Sequence, residues 1–177
     1  MAKTIKKSDL KNHIRDIPDF PKEGIIFKDI TTLLQDGAAF KKSINLLAKK
    51  FKNENIEVIV GVEARGFIFG AALAYKLGIG FVPVRKKGKL PAKTKSVTYE
   101  LEYGTDVLEI HEDALQPNAR VLIVDDLLAT GGTIKAVSDL LKAQKVVIAG
   151  VAFLVELRFL KGKNKFKDLP IYSVIKY

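Results

Sequence analysis

The sequence predicts an α/β fold: a parallel β-sheet covered on both faces by helices. Three observations carry this. Val121-Leu122-Ile123-Val124 and Val58-Ile59-Val60 are short β-branched runs without polar alternation, as strands buried on both faces require. Elsewhere apolar residues recur at helical spacing, at Phe40, Ile44, Leu47 and Phe51 and again at Ile134, Val137, Leu140 and Leu141. The two patterns alternate along the chain, which is the order that builds a parallel sheet.

Taken in order, Ser8 is expected to cap a short helix carrying Leu10, Ile14 and Ile17, which Pro18 and Pro21 end. Ile25-Ile26-Phe27 would ordinarily be core. Bracketed by Gly24 and Lys28-Asp29, it also suits an apolar loop over a pocket. Asp36 is placed to cap the helix of Phe40 to Phe51. Val58–Val60 then leads into Gly61-Val62-Glu63-Ala64-Arg65-Gly66-Phe67. The glycine spacing is that of a P-loop, but Phe67 stands where the lysine must be, so a nucleoside-triphosphate P-loop is excluded. An arginine alone is usually a surface ion pair. Arg65 lies at a strand's C-terminal end, where α/β sheets bind ligands, and that favours an anion contact.

Phe67 to Leu77 is helical, and Ile79 to Val84 is a third strand. Arg85 to Lys95 holds Gly88, Pro91 and five lysines, the composition of a mobile loop. It is either a solvated linker or a lid that brings Arg85 and Lys89 to an anion. Val97–Glu102 and Asp106–Ile110 are strand-like, joined at Tyr103-Gly104-Thr105. Glu102 at that turn is a candidate acid/base, although a lone glutamate there is more often only solvated. Lys145 to Phe153 is another buried strand, and Ile171 to Val174 a last edge strand.

The densest chemistry follows Val124: Asp125-Asp126-Leu127-Leu128-Ala129-Thr130-Gly131-Gly132-Thr133, then a helix. Such residues can be mere capping and turn chemistry. Together with a buried strand they fit an anion cradle, with N–H groups and a helix start aimed at phosphate. Two carboxylates beside phosphate would repel it, so they need another partner. Vicinal hydroxyls serve, and a phosphate next to a diol is a ribose 5-phosphate.

This motif resembles the phosphoribosyl pyrophosphate (PRPP) signature of the type I phosphoribosyltransferase family. Tyr99-Glu100-Leu101-Glu102-Tyr103-Gly104 resembles its adenine branch. The resemblance covers nearly the whole chain. It implies a five-stranded parallel sheet flanked by helices, with a small N-terminal hood and a flexible loop. It also implies purine salvage: adenine and PRPP give AMP and pyrophosphate with Mg²⁺, held mainly by PRPP and water, in a cytoplasmic homodimer. By the same resemblance Glu102 is catalytic. Asp125, Asp126, Ala129, Thr130, Gly131, Gly132 and Thr133 bind PRPP or AMP. Ala64, Arg65, Arg85 and Lys89 bind pyrophosphate, with Ala64 where serine is common. Ile26, Phe27, Lys28 and Leu127 bind adenine. The alternatives are a 6-oxopurine transferase, which Lys28 could serve by reading the 6-oxygen, and a non-catalytic PRPP-sensing regulator.

Length and composition fit a single domain over residues 1–177, with 47% hydrophobic residues excluding general disorder. No cysteine is present, which excludes disulfides and thiolate metal sites and suits the cytoplasm. Lys3, Lys6 and Lys7 precede no apolar segment of a signal peptide. Gly66 to Tyr75 is too short to span a bilayer, so no membrane partner is expected. The net charge of +10 comes from scattered lysines, such as Lys41, Lys49, Lys142 and Lys163. No basic stripe interleaves with aromatics, so the charge fits polyanionic substrates rather than nucleic acid.

Overall fold

The computed structural model of the protein describes residues 5–100 and 104–177. Strands β1 (Arg15–Ile17) and β2 (Phe27–Asp29) pair antiparallel in a small ribbon of their own. Helices α1 (Thr31–Gln35) and α2 (Gly37–Phe51) follow. Then come β3 (Val58–Val62), α3 (Arg65–Leu77), β4 (Gly80–Lys86), β5 (Thr94–Glu100) and β6 (Thr105–His111). The chain continues through β7 (Arg120–Leu128), α4 (Gly132–Ala143), β8 (Val147–Glu156) and β9 (Ile171–Lys176). The main sheet runs β5-β6-β4-β3-β7-β8-β9. Pairing is parallel from β4 to β9, which gives the expected five-stranded core, and β5 and β6 extend it as an antiparallel hairpin.

The unalternating strands are buried because helices cover both faces. On one face Leu122 and Val124 pack with Leu47 and Phe51 of α2 and with Phe69 and Leu73 of α3. On the other, Val121 and Ile123 pack with Ile134, Val137, Leu140 and Leu141 of α4. Burying a side chain of this size contributes roughly 1.5–3 kcal/mol. Asp36 caps α2 as expected, accepting from Ala38 and Ala39 N–H at 2.9 and 3.0 Å.

Some local expectations are corrected. Ser8 caps nothing. The segment Lys7–His13 is a 3₁₀ turn, entered at Lys6, whose N–H donates to Asp9 Oδ2 at 3.0 Å. Ser8 spends its hydroxyl on the other Asp9 oxygen. The strand expected from Lys145 begins at Val147, because Lys145 adopts φ 60° and closes the end of α4 on Lys142 O. β7 does not stop at Val124 but continues to Leu128, since Asp125, Leu127 and Leu128 stay in register with Phe153, Val155 and Glu156.

The stretch expected as a mobile loop connects β4 to β5. Gly88 N–H donates to Glu109 Oε2 at 2.9 Å, Arg85 Nη1 to Lys89 O at 2.9 Å, and Glu112 N–H to Lys93 O at 3.1 Å. Two of those anchors, Glu109 and Glu112, lie on or just beyond β6, remote in sequence from a stretch whose own composition reads as loose. Of the hairpin turn, Tyr103 lies outside the described residues, while Gly104 adopts φ +82°. Among the described residues no helix is long and apolar enough to cross a membrane.

Candidate active site

The C-terminal ends of β3, β7, β8 and β9 converge on one side of the sheet, where an open α/β sheet binds ligands. β7 ends in a turn that starts α4. Gly131 adopts φ +80°, and a Cβ there would lie 2.9 Å from Gly162 O. The turn encloses a cavity of about 80 Å³ lined by Asp125, Ala129, Thr130, Gly131, Gly132 and Thr133 among others. Its far side is braced by Gly162, whose backbone sits so close that an added Cβ would lie 2.1 Å from Ala129 O. The hairpin reaches the same place. Glu100 O lies 3.7 Å from where a Cβ on Gly132 would be. Burial raises the Tyr99 phenol above its usual range, against the opposing hydrogen bond with Thr133.

Of the acidic pair, Asp125 lines the cradle. Asp126 is buried, and Arg65 Nε lies 2.9 Å from its Oδ2. That oxygen accepts no aligned hydrogen bond, so Arg65 acts there as a charge. Asp126 N–H donates to Asp125 Oδ1 at 2.8 Å. Burial, and then the Asp126 charge, push Asp125 well above the ordinary carboxylate range. Burial raises Asp126 too, with Arg65 pulling the other way. Gly66 makes this packing possible, since a Cβ there would lie 2.8 Å from Val124 O and 2.9 Å from Asp125 Oδ1.

Beside the cradle opens a cavity of about 540 Å³. Ile26, Phe27 and Lys28 line it from the ribbon, Arg65 from α3, and Leu127 and Ala129 from β7 and the turn after it. Phe20 meets Phe27 edge-on at 5.2 Å, and the Arg65 guanidinium lies 5.4 Å from the Phe27 ring centre. The same cavity is walled by Leu157, Phe159, Leu160 and Tyr177, which sequence reasoning missed. They form no local pattern. Their only signal is position, just past the C-terminal ends of two parallel strands.

The structure thus gathers Arg65, Asp125, Asp126, the 129–133 turn, Leu127 and Ile26 to Lys28. Ala64 stands at the start of α3, after a cis Glu63–Ala64 peptide. Arg85 is engaged elsewhere, its Nη2 and Nε lying 3.2 and 3.3 Å from the Glu63 carboxylate. Burial would raise Glu63, but Lys86 N–H and Arg85 outweigh it and hold its carboxyl below the usual range. Lys89 contributes its carbonyl to Arg85. Glu102 lies outside the described residues. Among the described residues, no group of three or more His, Cys, Asp and Glu side chains is arranged to hold a metal ion.

A phosphoribosyl transferase domain model matches residues 29–176, and the chain belongs to that family. Its relatives within the family include adenine phosphoribosyltransferases. The one from Acidobacterium capsulatum is 58% identical over 168 residues, covering 95% of this chain and 93% of its own. The crystal structure of the one from Thermoanaerobacter pseudethanolicus superimposes with a TM-score of 0.94 at 55% identity, covering 97% of this chain and 100% of its own. The Saccharomyces cerevisiae enzyme was solved with adenine and D-2,5-dideoxy-2,5-imino-altritol 1,6-bisphosphate. It superimposes at 0.89 with 41% identity, over 95% of this chain and 97% of its own.

Proposed function

We propose that the protein transfers the phosphoribosyl group of PRPP to adenine, forming AMP and pyrophosphate, a purine-salvage reaction. One observation carries the reading. Leu127 and Ala129 line both the apolar cavity and the glycine cradle, so a slot for a flat base and a seat for a phosphate share one wall. That is the layout of a nucleoside monophosphate. The yeast relative, solved with a base and a bisphosphate together, supports it.

In this mechanism the 5-phosphate takes the 129–133 turn and the start of α4. Asp125 and Asp126 accept from the ribose hydroxyls and stand near the positive charge that develops as the C1–oxygen bond breaks. Adenine N9 forms the new bond to that carbon, and the electron pair of the broken bond leaves with pyrophosphate. Arg65 then has two anions to serve, Asp126 and the leaving group, and its exchange between them couples binding to chemistry. Mg²⁺ enters as part of the substrate, held by PRPP oxygens and water. Glu102 takes the purine proton. Arg85 and Lys89 serve the pyrophosphate end, and the working unit is a homodimer.

The test is pyrophosphate release from PRPP with each free base. Adenine is expected to be preferred over hypoxanthine by several powers of ten, on the order of 10⁴, because a site that pairs buried polar groups with one edge rejects its mismatch. Equal turnover with hypoxanthine would sink the reading.

A further inference from the structure

The adenine cavity has a cation in its wall that is not turned to the base. Lys28 comes from β2, and its side chain is only 10% exposed, so its ammonium is drawn away from water. Asp16, on the paired strand β1, lies 2.7 Å from Nζ. The Tyr177 ring centre lies 4.2 Å from the same nitrogen, within cation–π range. Lys11 approaches that ring too, at 4.3 Å. The backbone that carries the ring is anchored on both sides. Tyr177 N–H donates to Glu156 O at 2.9 Å, and Arg158 N–H donates to Tyr177 O at 2.9 Å. Tyr177 and Lys28 both line the cavity. The pairing therefore crosses from the ribbon to the end of the sheet.

A cation in such a wall decides between two base chemistries. An ammonium can only donate. It matches the oxygen of a 6-oxopurine and opposes the donor amino group of adenine. The other cation of the cavity, Arg65, faces Asp126. We infer that Asp16 and Tyr177 are specificity-determining residues, holding the Lys28 ammonium away from the base so that the cavity selects a 6-aminopurine. This rests on the adenine reading above and assigns the exclusion of 6-oxopurines to two residues that need never touch the base's reacting atoms. Removing either hold frees the ammonium to turn into the cavity, where a charge-assisted hydrogen bond to the 6-oxygen becomes available.

The experiment compares kcat/KM for adenine and hypoxanthine in wild type, Asp16→Ala, Tyr177→Leu, Tyr177→Phe and the double variant Asp16→Ala/Tyr177→Leu. The hypoxanthine-to-adenine ratio is expected to rise on the order of tenfold in the double variant, the worth of one hydrogen bond to a charged group. Tyr177→Phe, which keeps the ring face, should stay at the wild-type ratio. Adding Lys28→Met to the double variant should bring the ratio back down, since the freed cation is then gone. If the double variant fails to fold, Asp16→Ala alone decides, because the Asp16 side chain is 54% exposed and its loss leaves the core intact. A ratio unchanged in the decisive variant, or a rise that survives Lys28→Met, overturns the inference. So does a common fall for both bases. Each of these leaves an adenine-specific wild type standing, whereas a wild type indifferent to the base overturns the function itself.

Discussion

Asp125 illustrates a residue whose type is plain in the sequence and whose state is not. Adjacent aspartates ahead of a glycine turn mark the site, but their raised proton affinity needs the burial that β8 and Gly66 impose. The sign of the consequence follows from linkage. Asp125 has a folded-state pKa raised above its ordinary 3.8. The folded form therefore holds its proton more tightly than the unfolded chain. Below the ordinary value both states are protonated and no stability is lost. As pH rises from there through the raised folded value, ionisation costs stability. Asp125→Asn removes that cost and keeps an oxygen to accept from Asp126 N–H. It should melt higher than wild type at neutral pH, with the difference closing toward pH 3, while kcat/KM falls. Calorimetry across pH checks this. A variant less stable at neutral pH than at acid pH, relative to wild type, would show that the carboxylate is a net stabiliser.

Elements were legible where periodicity alone decides them. The runs at Val58 and Val121 and the helices of Leu47 and Leu140 needed no partner to be recognised. The turn between β4 and β5 did, because its order comes from Glu109 and Glu112 across the hairpin. So did the segment after β8, where Gly162 closes the back of the cradle. Any side chain at Gly162 drives into the backbone of Ala129, which cannot swing aside as a flexible side chain would. Gly162→Ala must therefore push the 129–133 turn outward, and overpacking of this kind typically costs about 1–3 kcal/mol. The expected outcome is a PRPP KM raised on the order of tenfold, with adenine KM raised less, since of the larger cavity's lining only Leu127 and Ala129 are shared with the cradle. Gly37→Ala has open space around it and serves as a silent control. Steady-state kinetics with each substrate varied in turn would reveal an error here as equal shifts in both constants.

The whole molecule carries a net charge of +10, and two copies of it must meet if the working unit is a homodimer. Like charges of that size oppose association through water, and salt screens them over a Debye length of about 10 Å at 0.1 M. PRPP, a polyanion, is drawn by the same field and lowers the charge of each protomer when it binds. Two effects on assembly follow. At micromolar concentration light scattering should give a dimer near physiological ionic strength and a larger monomer fraction when salt is removed. Adding PRPP at low salt should restore the dimer, because it neutralises part of the repulsion. Arg85 lies against Glu63 and Lys89 of its own chain, so serving pyrophosphate requires it to exchange partners. Arg85→Ala should then raise the pyrophosphate KM in the reverse reaction without shifting the mass seen by light scattering. A fully active monomer at every salt concentration would rule out the homodimer as the working unit.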